Sequence, residues 1–326
     1  MARRGIVLFC LAALLSSCSS ASTGNSSSCF EQSEASSIRT KELFFPTDVD
    51  EPGTSTGVDA FIGYSPYRIT HMYVGEGVEE EITGYTYNEK YCTVDSLGRI
   101  TPKVAGSSYV YAVTKSGRHP IRVNVKAGES FRNHIRESAA IMQQKFQDRG
   151  AKKNAAVFLG DSFFDPRGFW EESNFYSAFS GKNVFLTGIG TAKTNDWMTI
   201  KQENIFAYQP KALFVNLGIN NLINAGDNGK TLAAKLMTLF EEWHYMKNDM
   251  PIYYYGIIKT ANETWNQQSE ISNQLIREFA SKTDYLTYLD IPSVLNPTIS
   301  SYLKPDGLHP NDAAYAQYAA LAKEVL

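Results

Sequence analysis

The chain has 326 residues, of which 43% are hydrophobic and 20% are charged, and its formal net charge is −3. This length is sufficient for two domains with a sizeable core. The slightly acidic balance excludes the basic surface that is typical of nucleic-acid-binding proteins, so we expect a globular protein with no nucleic-acid partner.

The first residues are typical of an export signal. Two arginines precede an apolar run over 5–15 that is too short to span a bilayer. The tetrapeptide Leu15-Ser-Ser-Cys18 resembles the lipobox of bacterial lipoproteins, which implies removal of residues 1–17 and lipidation of Cys18. The alternative is an ordinary cleaved secretion signal. We expect an exported protein that the lipid on Cys18 anchors to the membrane of the bacterial cell envelope, with the periplasmic or surface face left open.

The next stretch, residues 18–40, consists mostly of small and polar residues and predicts a flexible tether. Two cysteines, Cys29 and Cys92, remain once the signal is removed and Cys18 is lipidated. An exported protein allows a disulfide between them, and two free thiols are the alternative. No Cys or His cluster has the spacing of a metal site, so we expect no metal and no cofactor.

Residues 41–127 alternate short β-like runs with turn signals. Ile121, Val123 and Val125 alternate with polar residues, as in a half-buried strand. The segment 92–114 resembles the C-terminal half of the bacterial immunoglobulin-like domains of surface adhesins. That resemblance implies an all-β immunoglobulin-like sandwich that acts as a spacer or an adhesion unit, and we favour the spacer.

Residues 128–326 predict an α/β domain. A helix is expected from Glu129 to Arg149, because apolar residues recur there at helical spacing. Strands are predicted at 155–160, 183–187, 211–217, 251–257 and 285–289, most of which are unbroken apolar or aromatic runs. Helical segments lie between these strands, so the pattern predicts a five-stranded parallel sheet wound on both faces.

Four motifs stand at the ends of these strands or the starts of helices. They are Leu159-Gly-Asp-Ser-Phe163, Asn183-Val-Phe-Leu-Thr-Gly-Ile-Gly-Thr191, Asn216-Leu-Gly-Ile-Asn-Asn221 and Asp306-Gly-Leu-His-Pro-Asn311. Their order and spacing resemble the four blocks of the SGNH (GDSL-type) hydrolases. The resemblance covers residues 150–326 and implies a flavodoxin-like fold and a serine hydrolase that acts on carboxylic esters.

The resemblance also implies roles for three residues. Ser162 is expected to be the nucleophile, His309 the general base and acid, and Asp306 the residue that orients His309. Taken singly, Ser162 also suits a helix cap, Asp306 a turn and His309 a helix start. Their occurrence together, each in its own motif, favours catalysis.

An oxyanion hole is implied as well. The family uses the backbone N–H of the serine, a backbone N–H of the second block and the Asn side chain of the third block. These groups correspond to Ser162, Thr191 and Asn220. The family usually has glycine where this chain has Thr191, and glycine permits positive φ. Gly190 is therefore a second candidate for the backbone donor.

The motifs specify the reaction and leave the substrate open. An exported enzyme on a spacer suits an acylated polysaccharide, and three tryptophans, Trp170, Trp197 and Trp265, are expected near the catalytic edge where they can stack on sugar rings. We therefore predict a carbohydrate esterase that removes O-acyl groups, acetyl in particular. The alternatives are a lysophospholipase or general short-chain esterase, and a catalytically weak surface protein that binds glycans.

Overall fold

The computed structural model describes residues 57–64, 66–74, 78–149 and 153–326. These residues belong to one compact unit. The predictions for the signal segment 1–17, for Cys18, for the tether and for Cys29 concern residues outside the described ranges. Within those ranges, no helix combines the length and the apolar character needed to cross a membrane.

The β region, residues 57–127, is built from short strands. They are β1 (Val58–Phe61), β2 (Tyr67–Arg68), β3 (Tyr73–Val74), β4 (Val78–Glu79), β5 (Gly84–Thr86), β6 (Cys92–Val94), β7 (Arg99–Pro102), β8 (Gly106–Thr114) and β9 (Gly117–Lys126). Their sheets have the orders β1-β9-β8-β5, β2-β7-β6 and β3-β4. Ile121, Val123 and Val125 of β9 are buried, which confirms the predicted alternation. The immunoglobulin-like identity of this region stays a prediction.

The α/β region, residues 128–326, alternates strands and helices. The elements are α1 (Asn133–Asp148), β10 (Ala156–Gly160), α2 (Glu172–Ala178), β11 (Val184–Leu186), α3 (Thr194–Asn204), β12 (Ala212–Asn216), α4 (Ile219–Asn224), α5 (Gly229–Met246), β13 (Ile252–Tyr255), α6 (Glu263–Ala280), β14 (Leu286–Leu289), α7 (Ile291–Val294) and α8 (Asp312–Lys323). The sheet is parallel throughout, in the order β11-β10-β12-β13-β14. The five predicted strands are confirmed to within two residues at each end.

Strand β10 is an inner strand of this sheet, between the edge strand β11 and the middle strand β12. Each of its residues is buried, because helices cover both faces of a parallel sheet. Ile252, Leu286 and the other apolar residues of the neighbouring strands complete the same core. Because the strands are parallel, the carboxyl end of β10 lies at the edge where open α/β sheets bind ligands.

Helix α1 begins at Asn133, four residues later than predicted. Gly128–Ser130 forms a 3-10 turn and Phe131 is extended, with φ −61° and ψ 139°. Phe131 is buried against the aromatic rings of Phe61 and Tyr64 in the β region. The aromatic contact holds this segment extended, because its apolar side chain is buried against β1 instead of lying on the helix.

Charged side chains join the β region to helices α3 and α5. Glu242, which is 2% exposed, accepts hydrogen bonds from Arg99 and lies 3.6 Å from Lys201 Nζ. Lys201 also donates to the carbonyl oxygen of Pro66. Burial lowers the pKa of Lys201 to about 8, against the opposing effect of Glu242. The β region is therefore packed against the α/β region through buried charges, which the interpretation as a spacer did not anticipate.

Candidate active site

Ser162 stands at the first turn after β10. Gly160 has φ +157°, and a Cβ there would lie 1.8 Å from the carbonyl oxygen of Asn216, so the close approach of β10 and β12 requires glycine. Asp161 caps the short 3-10 turn Ser162–Phe164 by accepting from the Phe163 N–H at 3.1 Å. Because Asp161 performs the capping, the hydroxyl of Ser162 is left for another partner.

That partner is His309. Ser162 Oγ lies 2.9 Å from His309 Nε2, and His309 Nδ1 lies 2.8 Å from Asp306 Oδ2. Asp306 Oδ1 in turn accepts from the backbone N–H groups of Leu308 and His309. With its proton on Nδ1, the imidazole presents a free electron pair to the serine hydroxyl. The structure thus brings together the three residues that the sequence predicted to act together.

The environment of His309 favours its neutral form. Burial lowers the pKa of His309, and this outweighs the opposing effect of Asp306. The ring lies flat against Phe169, with the two centroids 3.5 Å apart. Burial raises the pKa of Asp306, but the hydrogen bonds from His309 and Leu308 outweigh that effect and its pKa is lowered. At neutral pH the pair is therefore an imidazole base held by an ionised carboxylate.

The loop after β11 is bonded to the serine turn. Gly188 N–H donates to the Phe164 carbonyl at 2.9 Å, and a Cβ at Gly188 would lie 2.2 Å from the Phe164 carbonyl carbon. Gly190 N–H donates to Asp165 Oδ2 at 2.8 Å. The next residue, Thr191, has φ +63°, a left-handed conformation that residues other than glycine rarely adopt. Within the described ranges, Thr191 N–H has no acceptor.

The start of α4 is bonded to the same loop. Asn220 Nδ2 donates to the Ala192 carbonyl at 3.3 Å, so its second N–H remains for another acceptor. Asn221 accepts from the Thr194 N–H and donates to Thr194 Oγ1 and Asp227. Asn221 therefore joins the start of α4 to the start of α3. Three potential donors, on Ser162, Thr191 and Asn220, therefore belong to loops that are bonded to one another.

Comparison with protein-family models gives one assignment. Residues 158–317 match the GDSL-like lipase/acylhydrolase family. Residues 158–317 are a GDSL/SGNH hydrolase domain. The chain is accordingly a serine hydrolase that acts on ester bonds, and its parallel five-stranded sheet is the SGNH hydrolase fold. We refer to residues 158–317 as the hydrolase domain from here on.

Solved structures resemble the hydrolase domain at low sequence identity. A GDSL-like lipase from Bacteroides thetaiotaomicron is 16% identical over 57% of this chain and 97% of its own, with a TM-score of 0.44. An acetylxylan esterase from Geobacillus stearothermophilus is 16% identical over 53% and 95%, with a TM-score of 0.44. A family 3 carbohydrate esterase from Clostridium thermocellum is 14% identical over 53% and 94%, with a TM-score of 0.43. No curated protein matches the chain.

The structure differs from two sequence-based expectations, one on the backbone donor of the second block and one on the tryptophans near the site. The N–H of Gly190 is occupied by Asp165, which leaves Thr191 as the candidate backbone donor of the second block. Trp170 and Trp197 are buried, at 2% and 0% exposure, and cannot stack on a sugar. Trp197 instead donates from Nε1 to the carbonyl oxygen of Gly160, where it supports the end of β10. Trp265 is partly buried at the start of α6.

Sequence reasoning also missed three residues that shape the site. Asp165 holds the second-block loop, and its carboxylate pairs with Arg167 at 2.6 Å. Phe169 covers the imidazole of His309. Arg132 donates to both Thr191 and Asp196. The four family motifs contain none of these residues, and only the position of Asp165, two residues after the first motif, offered a signal.

Proposed function

We propose that this protein is an exported esterase that removes O-acyl groups, acetyl in particular, from carbohydrate. Ser162, His309 and Asp306 are its catalytic triad. The observation that carries the proposal is the continuous series of contacts from Ser162 Oγ to His309 at 2.9 Å and from His309 to Asp306 at 2.8 Å. The order of the three groups matches the triad of serine hydrolases.

In the first half of the reaction, Ser162 Oγ attacks the ester carbonyl and His309 Nε2 takes its proton. The oxyanion accepts hydrogen bonds from Ser162 N–H, Thr191 N–H and Asn220 Nδ2, and each such donor contributes about 3 kcal/mol. The sugar hydroxyl then leaves with the proton from His309. In the second half, water attacks the acyl-enzyme, His309 again takes a proton, and the carboxylic acid is released as the serine is regenerated.

The surroundings of the triad support a short acyl group on a large alcohol. The side chains that follow the serine, Phe163 and Phe164, are 1% and 0% exposed. Phe164 packs against Trp170, and Phe163 packs edge-on against the His309 ring. Such close packing behind the nucleophile favours acetyl over a long acyl chain. The carboxylate of Asp306 is 43% exposed, so the site is shallow, and a shallow site suits a hydrated polymer.

The envelope location belongs to the same proposal. A signal over residues 1–17 and a lipid on Cys18 would keep the enzyme at the membrane, next to the acylated polysaccharides of the cell surface or its surroundings. An immunoglobulin-like β region would then be part of the catalytic unit, because it packs against α3 and α5. A lysophospholipase or general short-chain esterase is the second candidate, and the same triad supports it.

The test compares the full chain with Ser162→Ala on p-nitrophenyl acetate, p-nitrophenyl butyrate and an acetylated oligosaccharide. Ser281→Ala, an exposed serine that follows α6, is the matched control. We expect Ser162→Ala to lose at least about a thousandfold in turnover, and the wild type to prefer acetate and release acetate from the oligosaccharide. A preference for butyrate would place the second candidate first. Undiminished turnover in Ser162→Ala would disprove the triad.

If neither the wild type nor Ser162→Ala hydrolyses any ester although both are folded, binding of the oligosaccharide should be measured next. Binding of the oligosaccharide without hydrolysis would support the catalytically weak surface protein. That outcome would contradict the proposed esterase, since the triad would then be incompetent despite its geometry.

A further inference from the structure

The segment before and at the start of α1 contacts the second-block loop from outside the four family motifs. Arg132 donates from NH2 to Thr191 Oγ1 at 2.9 Å and from NH1 to the Thr191 carbonyl at 3.3 Å. His134 Nε2 lies 3.1 Å from the Gly190 carbonyl oxygen. Both oxygen atoms of Thr191 and the carbonyl of the preceding peptide are therefore held by residues more than 50 positions earlier in the chain.

These contacts act on the peptide that carries the proposed oxyanion donor. The Gly190 carbonyl and the Thr191 N–H belong to one planar trans peptide, so they point in opposite directions. A hydrogen bond from His134 to the carbonyl fixes that plane and turns the N–H away from α1. Arg132 fixes the following carbonyl and the threonine hydroxyl with its planar fork.

The need for such a restraint follows from φ +63° at Thr191. A β-branched residue is strained in this region and keeps the conformation only where its surroundings impose it. Glycine would adopt it without strain. The chain thus has a strained residue at the donor position and a guanidinium that contacts both of its oxygen atoms.

We propose that Arg132, assisted by His134, is a positioning residue that holds the Gly190–Thr191 peptide so that the Thr191 N–H faces the oxyanion of the reacting ester. This inference rests on the proposed function, because it assumes that Thr191 is a donor. Arg132 does not touch the substrate and acts through the loop.

The position of Arg132 depends on two neighbours. Arg132 NH1 lies 2.5 Å from Asp196 Oδ2, and Asp196 is buried and also accepts from the Lys193 N–H. On the other side, Phe131 is packed against Phe61, with ring centroids 4.9 Å apart. The β region therefore fixes the backbone next to Arg132, which connects it to the geometry of the oxyanion site.

The experiment is a double-mutant cycle in the full chain between Arg132→Ala and Thr191→Gly, with kcat and KM measured on p-nitrophenyl acetate. Arg136→Ala is the matched control, because Arg136 is an exposed arginine one turn further along α1. We expect Arg132→Ala to lower kcat by about ten- to a hundredfold with little change in KM, and Arg136→Ala to lower neither. In the Thr191→Gly background, the loss caused by Arg132→Ala should shrink severalfold, since glycine needs no restraint.

The inference would be overturned if Arg132→Ala lowered kcat equally in the wild-type and Thr191→Gly backgrounds. It would also be overturned if Arg132→Ala had the same kcat as Arg136→Ala. Arg132→Lys retains a positive charge beside Asp196 but lacks the planar guanidinium fork. This variant therefore distinguishes a loss of stability from a loss of loop positioning. We expect Arg132→Lys to fold with a Tm close to wild type and still to lose kcat, whereas full activity would contradict the role of the fork. Ser162→Ala in the same assay distinguishes failure of the proposed function from failure of this inference. If Ser162→Ala kept its activity, the catalytic triad itself would be disproved, and not only the role of Arg132.

Discussion

Two histidines of this protein each contact carboxylates, and their environments have opposite effects. In the hydrolase domain, His309 has one carboxylate partner, Asp306, and burial lowers its pKa. In the β region, burial lowers the pKa of His71, but hydrogen bonds to Glu241 and Glu79 outweigh it and raise the pKa to about 9. The first imidazole is therefore neutral at pH 7, and the second is charged.

The difference lies in the number of carboxylates that surround each imidazole. Asp306 accepts two backbone N–H groups besides the imidazole, and 43% of its side chain is exposed, so its charge is shared and hydrated. His71 lies between Glu79 and Glu241, with Glu241 Oε1 2.9 Å from its Nε2. A histidine becomes a base where one shared carboxylate orients it, and a structural cation where two carboxylates enclose it. Four predictions test this comparison.

The largest expected effect is the loss of turnover in His309→Gln. Without the imidazole no group takes the serine proton, so kcat should fall by about ten-thousandfold or more. Ester hydrolysis measured with the full chain checks this. His71→Gln is the control and should keep wild-type turnover while folded, and comparable losses in the two variants would contradict the division of roles.

Asp306→Asn should have the next largest effect. Asparagine can still accept from the backbone N–H groups of Leu308 and His309, so the loop should keep its shape while the imidazole loses its ionised partner. Because water reaches this exposed site, we expect kcat to fall by about a hundred- to a thousandfold, with the Tm nearly unchanged. A loss below about tenfold would mean that His309 does not need the carboxylate.

The third prediction concerns stability and His71. Its folded-state pKa of about 9 exceeds its ordinary value of 6.5, so its stabilisation is fully present below pH 6.5 and is lost as the pH rises toward 9. His71→Gln should lower the free energy of unfolding by about 2 kcal/mol at pH 6 and by little above pH 9. Urea unfolding of both proteins across this range provides the measurement. A difference that does not vary with pH would show that His71 is not charged.

The smallest effect is expected from Phe169→Leu. The stacked ring contributes to the burial of His309, so the smaller side chain should let water reach the imidazole and move its pKa up toward 6.5. The acid limb of the pH profile of kcat/KM should shift in the same direction, and kcat should fall about two- to fivefold. Phe279→Leu, whose ring packs edge-on against His71, should leave that profile unchanged. If the acid limb did not move in Phe169→Leu, the stacked ring would have no effect on the pKa of His309.

The sequence determined the elements whose signals are local. Buried strands such as 156–160 and 212–216 consist mainly of apolar residues, and the alternation of strands with helices implied the parallel sheet. The motifs located Ser162, Asp306 and His309, because each belongs to a short loop at a strand end or a helix start. Helix α1 was predicted with an early start, since helical periodicity includes Phe131 although a contact with the β region holds it extended.

Tertiary structure alone decided which groups occupy the loops around the serine. Asp165 takes the N–H of Gly190, Arg132 holds Thr191, and Trp197 is buried beneath β10 instead of lining a cleft. These partners are 25 to 59 positions apart, and no periodicity or motif connects them. The sequence determined which groups are candidates for the chemistry, because strand ends and turns are specified by neighbouring residues. The packing of distant segments decided which of their hydrogen bonds remain free for a substrate, because each donor pairs with whatever acceptor the fold brings within reach.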